Sequence, residues 1–266
     1  MMSNKCILLF ILLLLFACNG EEVQESIKIP IDKVPALEGQ EVWGNDSSFE
    51  KDQEIIDTVQ EISALEKKML AAGLVDIQSV DSTIQVDVKY ATTDNFMGQV
   101  LYPDYHKVYL QPVVAERLSL AQKALQKIDS SLTLLVFDGT RPRSVQQAMW
   151  DALDTIPFND RIKFVSNPAN GSIHNYGCAV DLTIKNKNSD QWFDMGAGYD
   201  DLRKIAYPRH EEQFLASGDL TPHQVQNRKL LRQVMRAGGF WVIQTEWWHF
   251  NAFSRKKAAE MFDIVE

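Results

Sequence analysis

The chain has 266 residues, 45% of them apolar, and a formal net charge of −9. That length suffices for one domain with its own core, or for one domain and a tail. The acidic balance argues against a nucleic-acid partner, which calls for basic patches.

The first twenty residues, MMSNKCILLFILLLLFACNG, join a positive Lys5 to an unbroken apolar run from Ile7 to Ala17. A helix that spans a bilayer needs about 20 apolar residues, so this shorter run reads as a secretory signal over 1–17. Leu15-Phe16-Ala17-Cys18 resembles the lipobox of bacterial lipoproteins. The resemblance implies that Cys18 is lipidated and becomes the new N-terminus, anchoring an exported protein to a membrane. Asn19 after that cysteine resembles the class sent to the outer membrane, facing the periplasm. With Cys6 removed and Cys18 carrying lipid, Cys178 stands alone, so no internal disulfide is expected.

Residues 18–52 are acidic and turn-prone, a lipidated tether. Over 53–74, Ile55, Val59, Ile62, Leu65 and Met69 recur at three- and four-residue steps, an amphipathic helix stopped by Gly73. A single catalytic domain is expected over 75–266. Alternation predicts a half-buried strand at 82–90, and a strong helix follows at 113–128. A buried strand at 132–139 ends in a turn, and a helix follows Pro142 over 143–156. Strands are expected at 178–184, 239–243 and 247–253, with a helix at 228–238 closed by Gly238. Helices and strands alternate without regular βαβ units. This predicts an α+β fold with a mainly antiparallel central sheet flanked by helices.

Chemistry concentrates in three segments. In GCAVDLT, strand alternation puts Ala179, Asp181 and Thr183 on one face, opposite Val180 and Leu182. His174 lies on the preceding turn, ahead of Gly177, where it can fold back toward Asp181. TEWWHF adds Glu246 and His249. Two imidazoles and one carboxylate suffice for a catalytic zinc centre with its fourth position open to water. Asp181, short and strand-borne, suits the ligand role, and the longer Glu246 that of general base. Residues three apart on a regular strand face opposite ways, so Glu246 must lie off the strand or at a bulge. The third segment, DGTRP, places Arg141 after a strand end and before a stiffening proline. There it can serve an oxyanion or form a structural ion pair with Asp138. His106, His210 and His223 lie in polar, loop-like surroundings and carry no such pattern.

Ser172, His174, Gly177, Ala179 and Asp181 match an S-x-H-x-x-G-x-A-x-D motif, and Glu246 to His249 match E-W-W-H. With YATTDNFMG (90–98), DGTRP (138–142), DMGAGYD (194–200) and NRKLLRQVMRAGGF (227–240), the chain from about Val75 onward resembles the zinc D-alanyl-D-alanine dipeptidase family. This is the VanX-like group of LAS-type metallopeptidases. The resemblance implies the LAS fold and one Zn2+ per chain held by His174, Asp181 and His249. It also implies Glu246 as catalytic base and Arg141 as catalytic donor to the scissile carbonyl oxygen. The implied reaction is hydrolysis of D-Ala-D-Ala or a close D,D-dipeptide. Thr140 departs from the family, standing where many relatives carry tyrosine, and DMGAGYD varies a segment that often reads DMGTPFD.

A dipeptidase must read both substrate termini. Asp194 is the candidate acceptor for the amine, Ser172 a donor to the carboxylate, and Tyr90 a wall residue. Cys178, between Gly177 and Ala179, reads as a small buried filler rather than a nucleophile. Two other functions remain open: a D,D- or L,D-carboxypeptidase acting on peptidoglycan stem peptides, and a non-catalytic wall-binding lipoprotein. The YATTDNFMG block favours the dipeptidase over the first, and intact Glu246 and Arg141 argue against the second.

Overall fold

A computed structural model describes residues 62–162 and 164–266. The signal segment, Cys18, the tether and the first part of the 53–74 helix lie outside the described residues. What is described of that helix, α1 (Ala64–Ala71), is capped by the Ser63 hydroxyl, which accepts from Glu66 N at 3.1 Å. Gly73, in the left-handed region at φ 75°, follows its end. The helix packs onto the domain by burying Met69 and Glu66. The Glu66 carboxylate accepts from Tyr109 OH and Lys107 Nζ, both at 2.6 Å.

The strands are β1 (Val75–Asp76), β2 (Gln85–Val86), β3 (Tyr109–Leu110), β4 (Leu132–Asp138), β5 (Ala179–Asn186), β6 (Gln191–Trp192), β7 (Trp241–Val242) and β8 (His249–Asn251). β1 and β3 form a small antiparallel pair, and the main sheet runs β2-β4-β5-β8-β7 with β6 also on β5. Every neighbour in the main sheet is antiparallel except β2 on β4, so the expected α+β fold with a mainly antiparallel sheet is the observed one. The parallel pair requires a long crossover, and α2 (Pro112–Ile128) lies within it. The further helices of seven residues or more are α3 (Arg143–Ala152), α4 (Glu211–Ser217), α5 (Pro222–Ala237) and α6 (Arg255–Met261), and single helical turns lie at Ile77–Val80 and Phe158–Arg161.

The strand expected over 82–90 shrinks to two residues. At its start, Asp81 Oδ1 accepts from Thr83 N and Thr83 Oγ1, a local turn that competes with extended pairing. At its end the chain enters a 3-10 turn over Lys89–Ala91, and Leu101 N and Tyr102 N both donate to the Tyr90 carbonyl. The strands expected at 239–243 and 247–253 are likewise shorter, and the helix after Pro142 ends at Ala152.

β5 is the spine of the sheet. Val180, Leu182 and Ile184 are fully buried in one hydrophobic cluster with Leu118 and Leu125 of α2 and Leu231 and Met235 of α5. A fully buried aliphatic side chain contributes roughly 1.5–3 kcal/mol. The alternate residues, Ala179, Asp181 and Thr183, are left to the opposite face.

Candidate active site

Three polar side chains stand in a row across that face. Asp181 of β5 pairs with His249 of β8 on one side and with Asp138 of β4 on the other. The second pairing depends on a register shift. β4 advances two residues from Val136 to Asp138 while β5 moves one, from Leu182 to Asp181. The extra residue, Phe137, turns Asp138 onto the polar face.

His174 reaches the row from a 3-10 turn, Ile173–Tyr176. Ser172 and Asn175 cap the turn reciprocally, and Gly177 closes it in the left-handed region at φ 66°. A Cβ on Gly177 would lie 2.9 Å from both Leu74 Cδ2 and Thr140 Oγ1, so the position excludes a side chain on two counts. The turn is stitched to DGTRP: Arg141 N donates to His174 O at 3.1 Å, and Asn175 Nδ2 donates to Arg141 O at 2.6 Å.

Each histidine has one nitrogen engaged outward. His174 Nδ1 lies 2.6 Å from the Gly139 carbonyl, and His249 Nε2 lies 2.9 Å from Asn251 Oδ1. Donation to those acceptors fixes the tautomers and leaves His174 Nε2 and His249 Nδ1 turned inward. These two atoms are 3.0 Å apart, and Asp181 Oδ1 lies 3.4 Å from the first and 3.0 Å from the second. Tetrahedral bonds of 2.0–2.1 Å would set ligand atoms about 3.3 Å apart. Asp181 Oδ1 is buried without a hydrogen-bond partner, as an oxygen reserved for a cation would be. The residues fit a metal ion, and among the described residues this His-Asp-His group is the one able to hold it. Burial acts to raise the Asp181 pKa, yet the facing His174 and His249 hold it well below the usual carboxylate range.

Around this group lies a cavity of about 210 Å³ whose walls include Tyr90, Phe96, Arg141, Ser172, Asp200 and Glu246. Glu246 lies off the regular strand, on the β7–β8 connection, as its spacing from His249 requires. Its Oε2 is 3.8 Å from His249 Nδ1, and burial raises its pKa. Arg141 makes the expected ion pair with Asp138 and lines the cavity. Its Nε and Nη2 donate to Asp138 Oδ2 at 3.0 and 2.6 Å, and its Nη1 donates to Gln146 Oε1 at 3.1 Å. The ion pair with Asp138 holds the guanidinium in the cavity wall. Ser172 lines the cavity, although its hydroxyl already accepts from His174 N at 3.4 Å. Thr140 turns away and donates to the Tyr109 carbonyl at 2.6 Å. Cys178 is fully buried and outside the cavity, and burial pushes its thiol up to about 12.

Asp194 is a correction. It does not line the cavity: its carboxylate accepts from Gly196 N and Gln224 Nε2, both at 2.8 Å, and pins a turn to α5. The acid that faces the cavity is Asp200, at the other end of DMGAGYD. Its oxygens accept from Tyr90 OH at 3.1 and 3.3 Å, so Tyr90 is both wall and positioner. Burial, with the Asp181 charge second, pushes Asp200 up to about 8. Asp200 also holds a left-handed backbone at φ 58°, a region that aspartate enters more readily than most residues and that Asp104 and Asp190 share. Sequence reasoning missed Asn251 and Tyr199 as well. Tyr199 OH lies 3.3 Å from Asp181 Oδ2. Asn251 carried a signal, since it lies two residues beyond His249 and therefore on the same strand face; Asp200 and Tyr199 carried none.

The family model described as D-ala-D-ala dipeptidase, peptidase M15, matches residues 70–265. The D-alanyl-D-alanine dipeptidase of Escherichia coli (strain K12) is 32% identical over 182 residues, covering 67% of this chain and 83% of that protein. Its namesake from Enterococcus faecium is 29% identical over 194 residues, covering 67% and 90%. Among solved structures, the D,D-dipeptidase VanXYg in complex with a D-Ala-D-Ala phosphinate analog is 17% identical, with a TM-score of 0.34 over 60% of this chain and 62% of that one. By the extent of the family match, this chain belongs to the D-ala-D-ala dipeptidase family of M15 peptidases.

Proposed function

We propose that this protein is a zinc-dependent D-alanyl-D-alanine dipeptidase, releasing two molecules of D-alanine from one dipeptide. The observation that carries the reading is the convergence of His174 Nε2, His249 Nδ1 and the unpartnered Asp181 Oδ1 in a small cavity that also holds Glu246 and Arg141. His174, Asp181 and His249 would hold the ion. When bound, zinc supplies Lewis acidity that makes water a nucleophile near neutral pH and polarises a carbonyl.

The chain's own groups do the rest. Glu246 takes the proton of the attacking water and passes it to the leaving amine, and its raised pKa suits that exchange. Arg141 has two N–H groups beyond the three given to Asp138 and Gln146. These donate to the carbonyl oxygen as it gains negative charge, from a guanidinium already held in place. Asp200, oriented by Tyr90, receives the substrate ammonium, and the Ser172 hydroxyl proton is free to meet the substrate carboxylate.

The test is D-alanine release by the purified, zinc-loaded protein from D-Ala-D-Ala and from a peptidoglycan stem pentapeptide. Cleavage of the dipeptide is expected. Cleavage of the pentapeptide alone would replace this reading with a carboxypeptidase, and cleavage of neither would end it.

We further propose that the domain is carried on a lipid attached to Cys18 and faces the periplasm. The support is the charged start, apolar run and LFAC boundary. No helix of the described residues is long and apolar enough to cross a membrane. Palmitate labelling that is lost in Cys18→Ser would support the anchor; labelling that persists in that variant would refute it.

A further inference from the structure

A second cavity, of about 340 Å³, adjoins the active one, and the two share Phe96 and Asp200 as wall residues. Phe96 and Asp200 therefore stand between the two cavities, with the Phe96 backbone N–H donating to Asp200 Oδ2 at 3.4 Å. The space behind them is comparable in size with the active cavity. It is lined in part by Asp94, Trp192 and Asp201; its Lys89 is held by Asp87 and Asp94 at 2.8 and 2.6 Å, and Asp201 accepts from Arg203 Nη2 at 2.6 Å, so three carboxylates there meet two cations. Asp200 itself is bonded to Tyr90 and to the Phe96 N–H, neither of them a cation.

The loop that presents Phe96 is held by Asn95 as well as by the packing of that ring against the core. Asn95 Nδ2 donates to the carbonyls of Lys89, Thr92 and Gln99 at 3.3, 2.8 and 2.8 Å, and Asn95 Oδ1 accepts from Met97 N at 3.0 Å. Asn95 thus fixes the backbone on both sides of Phe96, and the side chain can be shortened without releasing the loop.

We propose that the Phe96 side chain sets the length limit on the amine side of the cleaved bond, and that the cavity behind it is a latent subsite for one further residue bearing the ammonium group. The inference rests on the dipeptidase reading and on Asp200 as the amine's partner. An extended substrate would place its amide N–H beside Asp200 and its ammonium among the acids of the second cavity. A neutral N-acyl extension would present the same amide to Asp200 but bring no cation to the acids beyond it, and would gain less.

The experiment compares kcat/KM for D-Ala-D-Ala, Gly-D-Ala-D-Ala and acetyl-D-Ala-D-Ala in the wild-type protein, Phe96→Ala and Phe96→Leu. The ratio of glycyl-extended to plain dipeptide turnover should rise about 100-fold in Phe96→Ala, less in Phe96→Leu, and the acetyl ratio should rise least. A folded Phe96→Ala protein that cleaves D-Ala-D-Ala with an unmoved ratio would overturn the inference and leave the dipeptidase reading intact. So would a wild-type protein that cleaves the glycyl tripeptide as readily as the dipeptide. A wild-type protein that cleaves no dipeptide removes the reading, and the inference with it. If Phe96→Ala melts below the assay temperature, the Phe96→Leu ratio decides on the same terms.

Discussion

Asp138 and Asp181 face each other on neighbouring strands only because β4 holds one residue more than β5 at that point. The bulge sets two carboxylates side by side with different duties. Asp181 faces the inward histidine nitrogens, while Asp138 takes two bonds from Arg141 and a third, at 3.3 Å, from Tyr102 OH.

Asp138→Ala should therefore act through Arg141. Removing one partner of a buried ion pair costs about 3–5 kcal/mol, and a misplaced oxyanion donor costs about 10²-fold in rate. Thermal melting and kcat/KM should fall together, with metal content unchanged by atomic absorption. A fall in metal content of the same size would show that Asp138 supports the ligands instead.

Glu246→Gln removes the proposed proton carrier without altering His174, Asp181 or His249. Loss of a general base typically lowers kcat by about 10²–10⁴-fold. Zinc stoichiometry should remain at the wild-type value, so activity and metal content should separate in this variant. Near-wild-type kcat would remove Glu246 from the mechanism.

Asn251→Leu tests the outward bond from His249 Nε2. Losing such an outer partner typically weakens metal affinity about 10–100-fold. Competition with a chromophoric chelator should show that loss, and excess zinc should restore most of the activity. Stripping the metal altogether should also lower the melting temperature, because an ion bound only to the folded state stabilises it by about 2.7 kcal/mol at 100 times its dissociation constant.

Asp200 is costly to the metal-free fold. Its carboxyl has a pKa of about 8 when folded, against about 3.9 for an ordinary aspartate. A raised folded pKa means that the unfolded chain releases this proton first, so stability falls as pH rises from about 4 and levels off above about 8. Asp200→Asn should then melt higher than wild type in chelator-treated protein, with a margin that widens over that window, while KM for D-Ala-D-Ala rises. Asp194→Ala should leave KM near the wild-type value, since its bonds go to Gly196 and Gln224. The opposite pair of results would restore Asp194 as the amine's partner.

The candidate metal group was legible in sequence because two short-range rules suggested it and the S-x-H-x-x-G-x-A-x-D and E-W-W-H motifs joined its halves. Strand alternation isolates Asp181 from Val180 and Leu182, and a glycine after His174 permits the chain to turn back. The off-strand position of Glu246 followed from the same alternation. What could not be read depended on distant partners. Asp194 and Asp200 are two acids of one segment, and only α5, which supplies Gln224, decides which of them is occupied. The shortened strand at 85–86 reflects the Asp81 turn and the carbonyl of Tyr90 being claimed by Leu101 and Tyr102. The bulge at Phe137 leaves no mark in LTLLVFD, because a bulge exists only relative to a partner strand.

β8 is three residues long and enters the sheet 75 positions after His174. A strand so short contributes little pairing of its own, so an ion gripped by His174, Asp181 and His249 would clasp the end of the chain to its middle. Closing so long a loop is entropically expensive, and the clasp would carry that expense. Metal supply would then govern more than turnover. A cell poor in that ion would hold this protein with a loosened C-terminal segment, open to proteolysis, and abundance would track metal as closely as activity does.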